Sequence, residues 1–164
     1  MRKEADMVTW GELEREAPDL AAKGKRLLYR TGNGEALIST VRGDAPPRIH
    51  PIAVAVVDGA LWAFILRSPK LVDLEQDGRF ALHAYPDAAI PHEFAIRGRV
   101  RAVAGEWRSA LARGWSFDVG DAPAFELLIE EAVLGERDSR HACPPSYTTW
   151  PKRDRSSNGV PAEQ

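Results

Sequence analysis

Apolar positions follow helical spacing near the N-terminus and then switch to strand-like alternation for most of the chain. In "TWGELEREAPDLAAKGKRLL", Leu13, Ala17, Leu20 and Ala21 share one helical face. Thr9 with Glu12 three positions on has the form of a capping box. The pattern predicts a helix that stops at Gly24 or in the "TGNGE" run. Three β-like runs follow: "ALISTVR" from Ala36, "PRIHPIAVAVV" from Pro47 and "ALWAFILR" from Ala60. Asp58-Gly59 joins the last two, and Asp-Gly between alternating apolar runs is a strong hairpin signal.

Ser68-Pro69 then opens a short helix over 69–77, because serine caps free N–H groups and proline suits the first helical position. Gly78 is its expected terminator. "RFALHAY" and "HEFAIRGRVRAV" read as strands. In the second, Phe94, Ile96, Gly98, Val100 and Ala102 alternate with Glu93, Ala95, Arg97, Arg99 and Arg101, as in a barrel wall. A helix over "GEWRSALARGW" comes next. The stretch 124–136, "AFELLIEEAVLGE", fits strand and helix equally by periodicity. "SYTTWPK" reads as a last strand. The expected fold is mainly β with inserted helices, an antiparallel barrel in one domain over 1–152, followed by a disordered tail over 153–164.

Composition narrows the class. The chain has 164 residues, 44% of them hydrophobic, and a formal charge of -2, enough for a core and without the basic excess of a nucleic-acid binder. "PIAVAVV" is far too short to cross a bilayer, and "MRKEADMVTW" lacks the apolar core of a leader peptide. One cysteine, Cys143, suits a reducing compartment, so a cytoplasmic location is expected. His50, His83, His92 and His141 show no metal-ligand spacing, so no metal site is expected, and no serine lies in a G-x-S-x-G elbow.

One local feature points to chemistry. Lys70 lies in the first turn of its helix, where the partial positive charge of the helix N-terminus disfavours a cation. A bound anion reverses that sign. Ser68 would add a hydroxyl donor. If the hairpin centred on Asp58-Gly59 continues, positions equidistant from the turn face one another, which sets Arg48 near the register of Arg67 to Lys70.

Taken together, "ALISTVR", "PRIHPIAVAVVDGALWAFI", "RSPKLVDLEQDGRFALH" and "EFAIRGRVRAV" resemble the pyridoxamine 5'-phosphate oxidase-like family of FMN-binding split β-barrels over roughly 9–150. The resemblance implies a homodimeric flavoprotein, with FMN in a cleft between subunits and hydride transfer through flavin N5 to a small-molecule substrate. It implies that Ser68, Lys70 and Arg48 hold the ribityl phosphate and that the backbone of Arg48, Ile49, His50 and Pro51 lines the ring. Thr40, Phe64 and Ile65 would lie along the flavin, and Glu93 near its pyrimidine edge. Trp150 is similar to the aromatic that the partner subunit brings to the ring, with core packing as its other reading. The alternatives are a deazaflavin-dependent reductase, with Arg67, Arg97, Arg99 and Arg101 for a longer acidic tail, and a non-catalytic flavin or haem carrier, with His83 or His50 as haem ligand. The "TTWPKRDRSSNGVPAEQ" end lacks the arginine- and histidine-bearing segment with which the vitamin B6 oxidase grips its substrate, so that reaction is not expected.

Overall fold

The structure, a computed structural model, describes residues 6–152. The tail expected to be disordered lies outside the described residues.

Helices α1 (Trp10–Glu16) and α2 (Pro18–Leu28) occupy the stretch expected to form one helix. The capping box is present: Thr9 N–H donates to Glu12 Oε2 at 2.7 Å, and Glu12 N–H donates to Thr9 Oγ1 at 3.3 Å. Pro18 causes the break, since it has no N–H to continue α1 but fits the first position of α2. Gly24 does not stop α2, which runs on to Leu28. Both helices bury an apolar stripe that includes Trp10, Leu13, Leu20 and Leu28.

The strands are β1 (Glu35–Thr40), β2 (Arg48–Ala53), β3 (Ala55–Val57), β4 (Ala60–Phe64), β5 (Arg79–Ala84), β6 (Glu93–Val103), β7 (Ala124–Glu136) and β8 (Ser146–Trp150). Helix α3 (Pro69–Gln76) follows β4, and α4 (Gly105–Arg113) follows β6. All pairings are antiparallel, in the order β2-β1-β5-β6-β7-β4-β3, with β8 on β7. The two ends of this order, β2 and β3, are separated in sequence only by Val54. The sheet therefore curls until its edges are consecutive stretches of one bent strand.

That bend changes the expected hairpin. Asp58 (φ 50) and Gly59 (φ 72) form the left-handed pair that a tight hairpin turn requires. The hairpin pairs only Ala55–Val57 with Ala60–Trp62. Past Val54 the strand turns away to pair with β1, and Arg48 stands opposite Thr40.

The ambiguous 124–136 stretch is a strand of 13 residues. A bulge explains its missing alternation: β6 and β7 shift register between Arg97 and Gly98. Phe125, Leu127 and Ile129 face the core before it, Ala132 and Leu134 after it. β4 is buried on both faces, with Leu61 and Ala63 in the barrel and Ala60, Trp62 and Phe64 under α4. Among the described residues no helix is long and apolar enough to cross a membrane.

Candidate functional site

The start of α3 forms one end of a cavity of about 430 Å³, a size suited to a small-molecule ligand. Ser68, Lys70 and Pro51 line that end. Lys70 Nζ donates to the Pro51 carbonyl at 3.3 Å, and among the described residues no carboxylate lies within ion-pair distance of it. Burial pushes its pKa below the ordinary lysine value. An ammonium that is partly desolvated, set at a helix N-terminus and lacking a counter-charge is completed by an anion. Ser68 is less free than expected. Its Oγ donates to the Leu66 carbonyl at 2.9 Å and accepts from Leu71 N–H at 3.4 Å, so its role is to fix the turn that presents Lys70. A larger hollow of about 970 Å³ runs along α4 from Gly105 to Arg113, but one helix lines it and no second wall converges on it.

Arg48 departs from expectation. It reaches α3 one turn beyond Lys70, where its Nε donates to Asp73 Oδ2 at 3.1 Å. Arg42 Nε donates to Asp73 Oδ1 at 3.1 Å, and Thr40 Oγ1 donates to Asp73 Oδ2 at 2.9 Å. Asp73 and Thr40 are both buried, so Thr40 locks α3 to β1 and does not line the cavity. Arg48 is likewise held by a carboxylate of its own chain, and it does not line the cavity.

Phe64 is the last residue of β4, and Ile65, just after it, packs in a different part of the core. Ile65 lies in the barrel core at 1% exposure, and only Phe64 reaches the cavity. The Phe64 ring is held edge-on by Trp115, with centroids 4.9 Å apart, and by the Arg108 guanidinium 5.4 Å above it. Ile49 lies on the outer face, 70% exposed. His50 faces inward with Nε2 buried and unpartnered, while His83 Nδ1 lies 2.6 Å from the Ala84 carbonyl. Neither histidine lines the cavity. Glu93 is occupied elsewhere, accepting from Tyr147 OH at 2.9 Å and Arg137 Nη2 at 3.2 Å. Trp150 packs against its own core and donates to Glu16 Oε2 at 3.0 Å, which favours its core-packing reading.

Of the four arginines expected to hold a longer acidic tail, Arg97, Arg99 and Arg101 are already paired, and Arg67 does not line the cavity. Arg97 bonds Glu131 at 3.4 Å, Arg99 donates to the Asp77 carbonyl at 2.9 Å, and Arg101 Nε donates to the buried Glu126 at 3.1 Å. Conversely, Glu35 and Tyr85 line the cavity although no sequence motif marks them, and Leu66 and Phe117 complete its apolar wall. Among the described residues no cluster of three metal-ligating side chains occurs.

The clamp beneath the site has a pH signature. Burial raises the Asp73 pKa, but the hydrogen bonds from Thr40 and Arg42 and the charge of Arg48 outweigh it and hold the carboxyl below the ordinary 3.8. Asp77 is also held low, chiefly by its hydrogen bond from Arg79. A depressed folded value gives stability that is present above the unfolded value and lost as pH falls through the folded one. Urea midpoints attributable to these groups should therefore be level at neutral pH and decline below roughly pH 4. Asp73→Asn should show a shallower acid decline, and identical slopes would contradict the assignment.

This curled antiparallel sheet, whose two edges meet in one bent strand, is a split β-barrel. No protein-family model and no curated protein matches the sequence. Solved structures do match. A FAD-binding protein of Mesorhizobium loti superposes with a TM-score of 0.54 at 18% identity, covering 68% of this chain and 89% of that one. HutZ, the haem storage protein of Vibrio cholerae, gives 0.52 at 13%, covering 72% and 90%. A Clostridium acetobutylicum protein of the pyridoxinephosphate oxidase family gives 0.51 at 13%, covering 85% and 94%. The fold is the pyridoxamine 5'-phosphate oxidase-like split β-barrel.

Proposed function

We propose that the protein binds FMN in the cavity at the start of α3 and acts as a flavin-dependent oxidoreductase on a small-molecule substrate. The observation that carries this reading is Lys70, a partly buried ammonium with no carboxylate partner among the described residues, at one end of a ligand-sized cavity. The likeness of the fold to a FAD-binding protein supports a flavin. The pairing of Arg97, Arg99 and Arg101 within the chain argues against the longer acidic tail of a deazaflavin. The absence of His50 and His83 from the cavity lining argues against haem there.

Lys70 would hold the phosphate, with Ser68 setting the turn that aims it. Phe64, stiffened by Trp115 and Arg108, and Phe117 would form apolar walls that exclude water from the ring. β2 is an edge of the sheet order, so its backbone from Pro51 to Ala53, which lines the cavity, has a strand partner on one side only and can border the ring on the other. When bound, the flavin supplies two-electron transfer through its N5, so the chain itself needs no nucleophile.

Lys70→Ala is expected to weaken FMN binding at least tenfold while leaving riboflavin, which lacks the phosphate, unchanged, as read by flavin fluorescence titration. The FMN affinity of the wild type should fall as pH rises through the lowered lysine value. Equal losses for both flavins, no uptake of FMN, or uptake of haem alone would refute the reading.

The protein is also proposed to work as a homodimer. Ile49 on the outer face and Leu66 at the cavity wall are 70% and 53% exposed, an apolar border suited to a second copy. Sedimentation velocity should give a dimer that Ile49→Asp weakens, and a wild-type monomer at all concentrations would rule it out.

A further inference from the structure

The cavity at Lys70 has a second charged group in its lining. On the outer face of the sheet, Pro51 stands opposite Leu37, and Ala53 opposite Glu35. Glu35 therefore lies one pleat repeat beyond Lys70's contact at Pro51, about 7 Å along the sheet. Extending the β1–β5 register one step past its Ala36–Ala84 pair sets Tyr85 beside Glu35. Both line the cavity. Glu35 Oε2 accepts from the Thr31 hydroxyl at 3.0 Å, and among the described residues no cation lies within ion-pair distance of the carboxylate.

The cavity lining thus carries an uncompensated cation and, displaced from it along the sheet, an uncompensated carboxylate, with Phe64 and Phe117 among its apolar walls. The two charges do not pair with each other. Such a site complements an elongated ligand with an anion at one end and an N–H donor at the other. FMN has this form: a phosphate, and at the far side a pyrimidine ring whose N3–H is flanked by two carbonyls. Glu93, expected at that edge, is taken by Arg137 and Tyr147. We infer that Glu35 accepts the flavin N3–H and so discriminates for the pyrimidine edge. The inference rests on the FMN reading above.

The test compares binding of FMN and N3-methyl-FMN, whose methyl group removes the donor, to the wild type, Glu35→Gln and Glu35→Ala by fluorescence titration. A hydrogen bond to an ionised acceptor is worth about 1.5–3 kcal/mol, so the wild type should prefer FMN by tenfold or more. The preference should fall toward one in Glu35→Ala and be partly retained in Glu35→Gln, whose amide oxygen still accepts. The preference for FMN over riboflavin, set at Lys70, should persist in all three. Equal wild-type binding of FMN and its N3-methyl form, or a preference that survives in Glu35→Ala, overturns the role of Glu35 while leaving the phosphate reading intact. Failure of the wild type to bind either flavin overturns both.

Discussion

Asp73→Ala is expected to destabilise the protein by about 3 kcal/mol, near the lower end of what removing one partner of a buried ion pair costs. The carboxylate is buried and bonded to Thr40, Arg42 and Arg48. Its removal leaves the buried Thr40 hydroxyl without an acceptor, a cost of about 1–3 kcal/mol by itself. The two arginine side chains retain 39% and 46% exposure and can turn to water, which keeps the total from rising further. Asp73→Asn preserves shape and an acceptor for Thr40 and should cost less than Asp73→Ala. Because Asp73 lies three residues after Lys70 on α3, the alanine variant should also loosen FMN, whereas Asp73→Asn should largely keep it. Urea unfolding with a parallel flavin titration checks both, and a loss below about 1 kcal/mol for Asp73→Ala would show the clamp to be incidental.

Gly98→Ala should be at least as damaging. A Cβ at this position would stand 1.9 Å from the Leu128 carbonyl oxygen and 2.9 Å from its carbon. Those are backbone atoms of the paired strand, so no rotamer change relieves the overlap. β6 and β7 would have to separate at the bulge, where β7 changes which residues it turns to the core. Overpacking costs about 1–3 kcal/mol when side chains can yield, and a backbone clash belongs at or beyond the upper limit. The expected result is a melting temperature lowered by several degrees or more, with loss of soluble protein at 37 °C. A variant that melts within about a degree of the wild type would mean the strands already lie further apart at this point.

Much of the fold is readable from local signals. Thr9 and Glu12 cap the first helix, Asp58-Gly59 makes the hairpin turn, Ser68-Pro69 opens α3, and the alternation of β6 holds from Glu93 to Gly98, beyond which Ala102 is exposed. These depend on neighbours within a few positions, where propensity and hydrogen-bonding geometry act directly. The stretch 124–136 was not readable, because a bulge moves the inward face from odd to even positions and erases the period that would identify a strand. One residue of extra backbone has no composition signal of its own.

The site divides in the same way. By itself the sequence determined that a lysine stands in the first turn of a capped helix, and helix electrostatics alone mark that position for an anion. It also determined the order of strands and helices that carries the family resemblance. Tertiary structure alone decided what surrounds the lysine. It left Lys70 without a carboxylate partner among the described residues, and it turned β2 away at Val54 so that Arg48 neutralises Asp73 instead of joining the cavity. It also brought Glu35 to the cavity lining through the β1–β2 register. A cap is a matter of three or four consecutive residues, whereas the sharing of charge among Lys70, Arg48, Asp73 and Glu35 depends on where a sheet bends and which face of a helix meets it.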